Sequence, residues 1–219
     1  MIKAIFFDLD GTLINSLPLF IKAYDLALKE QGFTFPKKEV ASTCFGKTEA
    51  AICQKLNIPD KTKQFKKTYF TGLKRHLKEG KLFNNVLETL NLCVEKQINL
   101  AIISFAYRWY VDKMIKRLNL KKYFNPIISF NDVKNPKPNP EAVILACKKL
   151  NLQPQHTIVV GDSKSDILMG KAKGCKTVLF YKKGYDLFYD LQTLKESHPD
   201  KIVKNFRELK KLILKNKIL

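Results

Sequence analysis

Arginine is scarce in this basic chain of 219 residues, which contains 36 lysines and only four arginines. Its 40 basic residues outnumber the 20 acidic ones, so the formal net charge is +20. Nucleic-acid readers favour arginine because the guanidinium group contacts phosphate or guanine through two hydrogen bonds. The lysines are also spread along the whole chain. We therefore interpret most of the charge as a property of solvated faces, and nucleic-acid binding stays only an alternative.

Paired cysteines and long apolar runs are missing as well. The five cysteines are odd in number, widely spaced and without a C-x-x-C pair. They predict reduced thiols in a cytoplasmic protein rather than a disulfide framework or a zinc site. No apolar run approaches the roughly 18 residues of a membrane helix, and the first residues meet a carboxylate too early for a signal peptide. We expect no membrane partner, and one large or two small domains.

Three short apolar runs are each followed at once by polar residues. They are 2–7 followed by Asp8, 98–103 followed by Ser104, and 157–160 followed by Gly161 and Asp162. Such runs are typical of strands buried on both faces of a parallel sheet. Segments with helical periodicity, at 86–96 and 140–150, alternate with them and indicate a doubly wound α/β fold. Ligands bind beyond the carboxyl ends of strands in these sheets, so the polar residues are candidates for one active site.

The segment 16–81 interrupts this alternation, because its apolar residues recur with helical spacing and no strand is evident. We predict that it is a helical cap domain inserted into an α/β catalytic core made of residues 1–15 and 82–219. The remaining elements predicted for the core are strands at 177–181 and 202–203 and a closing helix at 206–217. A second domain at this point of the chain is expected to act as a lid.

Asp8 and Asp10 are two residues apart, so their carboxylates point to the same side of an extended backbone. Carboxylates held this closely repel one another unless a cation or a proton lies between them, which favours Mg²⁺. A calcium loop fits poorly, because Thr12 and Leu13 stand where the EF-hand pattern needs an acidic residue and a glycine. A charged Asp-Gly turn stays open as the alternative.

Two further carboxylates, Asp162 and Asp166, lie four residues apart at a predicted strand-to-helix junction. Asp162 can reach a metal ion held by the first pair, although helix capping at this junction is the simpler alternative. Ser104 has a similar alternative, as the cap of a helix that begins near Tyr107. Lys137 has prolines on both sides, which stiffen its loop and fix the direction of its ammonium group. Its alternative is one more surface lysine among the 36.

In this order, the segments FFDLDGTL, IIS, KPNP and GDSKSD resemble the four motifs of the haloacid dehalogenase superfamily, over nearly the whole chain. The helical insertion resembles the cap of its phosphoglycolate phosphatase-like branch. The resemblance implies a Rossmann-like core with a helical cap. It also implies a Mg²⁺-dependent phosphatase that hydrolyses small phosphorylated metabolites through an aspartyl-phosphate intermediate.

The same resemblance implies a role for each residue of the motifs. Asp8 corresponds to the nucleophile, and Asp10 to the general acid that later acts as the base for water. Ser104 and Lys137 correspond to the pair that binds the phosphoryl group. The implied Mg²⁺ ligands are Asp8, the backbone carbonyl of Asp10, and Asp162, with Asp166 as a supporting carboxylate near the metal ion or Lys137.

Some positions depart from the pattern of this branch. Asn15 stands where an aspartate is common, and Phe105 where an asparagine commonly follows the serine. Phe20 replaces a histidine of the mutase-like members, which argues against a phosphosugar mutase. A mutase, a phosphonate hydrolase and a terminal phosphatase of nucleic acid stay alternatives. Lys47, next to Gly46 in the cap, is a candidate substrate contact whose alternative is a solvated lysine. The identity of the substrate, and the choice between monomer and dimer, stay open at this stage.

Overall fold

The computed structural model describes residues 2–215, which group into two compact units. The first unit comprises Met1–Asn15, Leu82–Lys183 and Leu191–Leu219, and the second comprises Ser16–Lys81 and Gly184–Asp190. The chain passes between the units after residues 15 and 81, where the sequence analysis divided core from cap. The segment 184–190 belongs to the second unit, whereas the sequence predicts it as part of the core.

A parallel sheet forms the centre of the first unit. The strands of the described chain are β1 (Ala4–Phe7), β2 (Ile14–Asn15), β3 (Lys81–Leu82), β4 (Asn99–Ile103), β5 (Ile127–Ile128), β6 (Thr157–Gly161), β7 (Lys176–Phe180) and β8 (Lys201–Val203). Six of them pair in the order β5-β4-β1-β6-β7-β8, with every neighbouring pair parallel, while β2 and β3 form a separate two-stranded sheet. Strand β1 is buried along its length because its side chains are apolar on both faces. The predicted α/β fold is confirmed.

All five predicted strands of this sheet are present, and their ends lie within two residues of the predicted ones. The sixth strand of the sheet, β5, was not predicted, because a strand of two residues has too few side chains to show a pattern. Within residues 2–215 there are ten α-helices, which we number in chain order: α1 (Leu17–Glu30), α2 (Lys37–Cys44), α3 (Glu49–Lys55), α4 (Thr62–His76), α5 (Val86–Glu95), α6 (Arg108–Arg117), α7 (Glu141–Leu150), α8 (Lys164–Lys171), α9 (Leu191–Lys195) and α10 (Phe206–Leu214).

Helices α5 and α7 correspond to the helices predicted at 86–96 and 140–150. Helix α10 begins at the predicted residue, Phe206, and ends at Leu214. The predicted end at Lys217 lies outside the described residues, as do all of 216–219. Among the residues that the structure does describe, no helix is both long enough and apolar enough to cross a membrane. All five cysteines are buried and free.

Helices α1 to α4 form the second unit, and close packing of α1 against α4 holds it together. Tyr24 of α1 stacks on Tyr69 of α4 with 4.2 Å between the ring centroids. Near this pair the two backbones approach so closely that a Cβ atom on Gly72 would lie 2.7 Å from the Cα atom of Ala23. The apolar residues that recur with helical spacing in 16–81 therefore pack into a separate core within the second unit.

Aromatic contacts explain why the segment 184–190 belongs to this second unit. Phe188 stacks on Phe45 with 6.1 Å between centroids, and Tyr189 meets the same ring edge-on at 6.3 Å. These contacts join residues more than 140 positions apart in the chain.

Candidate active site

Strand β1 lies between β4 and β6, and the register of the three strands sets the position of the candidate residues. Phe7, the last residue of β1, pairs with Ile102 on one side and with Val160 on the other. The residues that follow the three strands consequently meet at one edge of the sheet. Asp8, Ser104 and Asp162 all follow these strand ends, and all three side chains are buried.

Lys137 is held between two carboxylates at this edge. Its Nζ atom donates to Oδ1 of Asp8 at 2.7 Å and to Oδ1 of Asp166 at 2.6 Å. The three side chains are at most 9% exposed. The loop that carries Lys137 is fixed by Glu141, whose carboxylate accepts from the backbone N–H groups of Lys134 and Asn135. Because burial removes water from these charges, separating them would leave an uncompensated charge in the interior.

The pKa values of this group follow from its burial. Burial raises the pKa of the Asp8 carboxyl to about 7, even though the Lys137 ammonium group acts in the opposite direction. Burial alone would lower the pKa of Lys137, but the charges of Asp166 and Asp8 outweigh it and hold that pKa above its ordinary value. Lys137 therefore stays charged, and a further cation beside Asp8 would favour the ionised carboxylate.

Asp166 has two functions in the structure, one for each carboxylate oxygen. Its Oδ2 atom accepts from the backbone N–H of Ser163 at 3.2 Å and from the Ser163 hydroxyl at 2.5 Å, which completes a capping box at the start of α8. Its Oδ1 atom faces Lys137. Helix capping and a place beside Lys137 were alternatives at the level of sequence, but the structure combines them.

Gly161 makes this position of Asp166 possible. A Cβ atom on Gly161 would lie 2.3 Å from both Cβ and Cγ of Asp166, which is much closer than any ordinary contact. The residue at the end of β6 must therefore lack a side chain if α8 is to bring Asp166 against Lys137. A glycine at a strand end can mark such a close approach, but the sequence does not show which residue approaches it.

Three carboxylates form a buried cluster that fits a divalent metal ion. The oxygen atoms that Asp8, Asp162 and Asp166 can offer lie within 4.8 Å of one another, and all three residues are buried. Lys137 supplies one positive charge beside these three carboxyl groups, and oxygen donors are the ligands that hard divalent cations prefer. Thr12, which is fully buried, donates from Oγ1 to Oδ1 of Asp162 at 3.2 Å and fixes its orientation. No pattern in the sequence predicts this role for Thr12.

Asp10 lies at the same end of β1 and is half-buried. Its Oδ1 atom accepts a hydrogen bond of 2.8 Å from the hydroxyl of Tyr110, a residue of α6 whose side chain is buried. This tyrosine is 100 positions away in the chain and belongs to no motif. Like Thr12, it is a functional candidate that no pattern in the sequence predicts.

Ser104 does not cap α6, since Tyr107 occupies the N-cap position of that helix. Its Oγ atom accepts from the backbone N–H of Ala106 at 3.0 Å, which leaves the hydroxyl proton to be donated elsewhere. The neighbouring Phe105, one of the departures from the family pattern, packs edge-on against Phe130 at 5.3 Å. Its ring therefore takes part in local packing next to Ser104.

Lys47 is the remaining candidate, and it belongs to the second unit. Its ammonium group donates to the backbone carbonyl of Ser42 at 2.7 Å. Partial burial, together with the charge of Lys55, lowers its pKa. Lys47 thus stabilises the end of α2 locally.

Comparison with known proteins agrees with the four motifs. The model of the haloacid dehalogenase-like hydrolase family matches residues 5–180. A pyrophosphatase, PpaX, from Oceanobacillus iheyensis is 30% identical over 211 residues that cover 95% of both chains. A phosphoglycolate phosphatase from Escherichia coli is 27% identical over an alignment of 234 residues, which covers 95% of this chain and 91% of that protein.

Solved structures give the same result. The crystal structure of a predicted phosphoglycolate phosphatase from Haemophilus somnus aligns with a TM-score of 0.83 and 25% identity, and the alignment covers 97% of this chain and 98% of that one. The family match spans most of the chain, from β1 to the end of β7. The protein is therefore a member of the haloacid dehalogenase-like hydrolase family.

Proposed function

We propose that this protein is a Mg²⁺-dependent phosphatase that hydrolyses small phosphorylated metabolites through an aspartyl phosphate on Asp8. The observation that carries the proposal is the buried arrangement of Lys137 between Asp8 and Asp166, with Asp162 in the same cluster. The names of the two curated relatives, a pyrophosphatase and a phosphoglycolate phosphatase, belong to the same class of reaction.

Asp8, Asp162 and the backbone carbonyl of Asp10 would hold the metal ion, with Asp166 beside them. When bound, Mg²⁺ supplies positive charge that offsets the repulsion between a carboxylate and a phosphate dianion. The oxygen-only donor set and its burial are the observations that support this choice of ion.

In the first half of the reaction, a carboxylate oxygen of Asp8 attacks the phosphorus atom. The bond between phosphorus and the ester oxygen breaks, and Asp10 gives its proton to that oxygen as it leaves. The Lys137 ammonium group and the Ser104 hydroxyl donate hydrogen bonds to the equatorial phosphoryl oxygens, where negative charge must be stabilised. The products of this half are the free alcohol and Asp8 in the form of its acyl phosphate.

In the second half, Asp10 is ionised and removes a proton from a water molecule. The resulting hydroxide attacks the phosphorus of the acyl phosphate, which releases inorganic phosphate and restores the Asp8 carboxylate. One carboxyl group thus acts as acid and then as base, and two easier steps replace one difficult step. Lys137 remains charged throughout, because two carboxylates hold its pKa high.

Hydrolysis of p-nitrophenyl phosphate by the purified protein, with and without Mg²⁺, tests the proposal. We expect turnover that EDTA abolishes and added Mg²⁺ restores, and we expect Asp8→Asn to lower kcat by at least about 1,000-fold. Asp112→Asn is a matched control, because Asp112 is an exposed aspartate of the same unit, paired with Arg108. Absence of turnover, or full activity in Asp8→Asn, contradicts the proposal. A panel containing phosphoglycolate, pyrophosphate, sugar phosphates and nucleotides then identifies the substrate.

A further inference from the structure

The contact between Tyr110 and Asp10 has a consequence for the reaction itself. We propose that Tyr110 is a positioning residue, whose hydroxyl group holds the Asp10 carboxyl so that its other oxygen, Oδ2, faces the leaving group. This inference rests on the proposed function, because it needs Asp10 to be the acid of the first step. It adds a residue that lies outside all four sequence motifs.

The backbone of Asp10 is already fixed by the turn that follows β1. The backbone N–H of Gly11 donates to the carbonyl of Ile14 at 2.8 Å, and those of Leu13 and Ile14 donate to the carbonyl of Leu9 at 3.0 Å. These bonds set the position of the Cα atom of Asp10. These backbone bonds do not themselves set the two side-chain torsions of the half-buried carboxyl group.

Tyr110 supplies the restraint that the turn does not. Its ring is 1% exposed in the structure, and Trp109 meets it edge-on with 6.0 Å between centroids. A tyrosine has only two side-chain torsions before its hydroxyl, so a buried ring on a helix fixes the hydroxyl position well. The bond of 2.8 Å to Oδ1 then fixes the carboxyl plane.

The chemistry of a tyrosine hydroxyl suits this position. It carries no charge near neutral pH, and it can both donate and accept a hydrogen bond. The contact can therefore persist before and after the carboxyl group has given its proton to the leaving group. A lysine in this place would lack an acceptor and would add a charge.

Leaving-group dependence separates positioning of the acid from a general effect on the fold. An alkyl phosphate releases a basic alkoxide that needs a proton in the transition state, whereas 2,4-dinitrophenyl phosphate releases a stable phenolate that does not. The value of kcat/KM reports only the steps up to the first irreversible one, which is here the transfer to Asp8. Loss of acid positioning should therefore lower kcat/KM for the alkyl ester and leave that for the dinitrophenyl ester nearly unchanged.

The experiment compares wild type, Tyr110→Phe and a control, Tyr123→Phe, with both esters. Tyr123 lies in the same unit and donates to Oδ1 of Asn91 at 2.7 Å, so the control also loses one tyrosine hydrogen bond. For Tyr110→Phe we expect a loss of about 10- to 100-fold in kcat/KM with the alkyl ester, a part of the effect of a general acid. We expect the ratio between the two esters to stay unchanged in Tyr123→Phe.

A double-mutant cycle with Asp10→Asn completes the test. In the Asp10→Asn background, Tyr110→Phe should have no further effect on the ratio, because the group that it positions is already altered. Equal losses with both esters, or no loss with either, overturn the inference and leave the proposed function intact. A wild type that hydrolyses neither ester overturns the proposed function instead. If Tyr110→Phe does not fold, an unchanged ester ratio in Asp10→Asn itself overturns the inference.

Discussion

A single methyl group on Gly161 is expected to disable the site without touching any of the proposed catalytic residues. The Cβ atom of Gly161→Ala would lie 2.3 Å from Cβ and Cγ of Asp166 and 2.5 Å from its Oδ2. Ordinary contacts begin at 3.4 Å, so the Asp166 side chain must move by about 1 Å. Its Oδ1 atom, 2.6 Å from Nζ of Lys137, moves with it.

The magnitude follows from how strongly phosphoryl transfer depends on position. A misplacement of about 1 Å can cost about 100-fold in rate. Forcing an extra methyl group into a packed site costs about 1–3 kcal/mol of stability. We therefore expect kcat/KM of Gly161→Ala for p-nitrophenyl phosphate to fall about 100-fold at a temperature where the variant is still folded, as checked by its thermal unfolding curve.

Gly170→Ala is the matched control for this prediction. A Cβ atom at Gly170 would also be crowded, at 2.9 Å from Cγ2 of Thr177 and 3.0 Å from Cγ2 of Val159. These neighbours are methyl groups of the sheet, so the variant should lose stability but keep its kcat/KM while folded. Wild-type activity in Gly161→Ala, or an equal loss of activity in Gly170→Ala, would refute the reasoning.

Three further predictions test other parts of the molecule. Thr12→Val removes the hydrogen-bond donor to Asp162 and should raise the half-saturating Mg²⁺ concentration about 10-fold or more in an activation curve. Thr12→Ser keeps the donor and should leave that concentration unchanged. The same activation curve for Thr12→Val and wild type would count against this role of Thr12. Burial alone would raise the pKa of Asp200, but hydrogen bonds from Thr177 outweigh it and lower this pKa. The ionised carboxylate therefore stabilises the folded protein above the unfolded-state pKa of about 3.9, and this contribution is lost as the pH falls through the folded-state pKa. The stability advantage of wild type over Asp200→Asn should accordingly shrink between pH 6 and about pH 3 in urea titrations; a constant difference would contradict this assignment. Residues 37–81 hold twelve basic and four acidic residues, so kcat/KM for a dianionic substrate should fall with ionic strength, and a salt-independent value would leave this charge without a part in the reaction.

The site residues that could be predicted from the sequence are those whose neighbours in the chain form a recognisable local pattern. Asp8, Ser104 and Asp162 each follow an apolar run, and the topology of a parallel sheet predicts that such residues meet at one edge. Lys137 stood out among the 36 lysines because prolines flank it. Local pattern and general topology made these four positions candidates, whereas their roles come from the resemblance of the four motifs and remain predictions.

The supporting residues depend on contacts between distant parts of the chain, which no local pattern describes. Tyr110 reaches Asp10 across 100 positions, and Thr12 reaches Asp162 across 150. Phe188 joins the second unit through the ring of Phe45, although the segments on both sides of 184–190 belong to the first unit. In each case packing in three dimensions brings the two partners together. Tyrosine, threonine and phenylalanine occur in many other environments, so the residue type alone does not predict these contacts.

Direct trapping of the acyl phosphate tests whether Asp8 forms a covalent bond with the phosphoryl group. The protein is mixed with Mg²⁺ and substrate, quenched in acid during turnover and treated with borohydride, which reduces an acyl phosphate to the alcohol. Peptide mass spectrometry then locates the modified residue. We predict homoserine at position 8 in wild type and none in a sample without substrate. Reduction at another carboxylate, or none at position 8 while turnover proceeds, would contradict the mechanism.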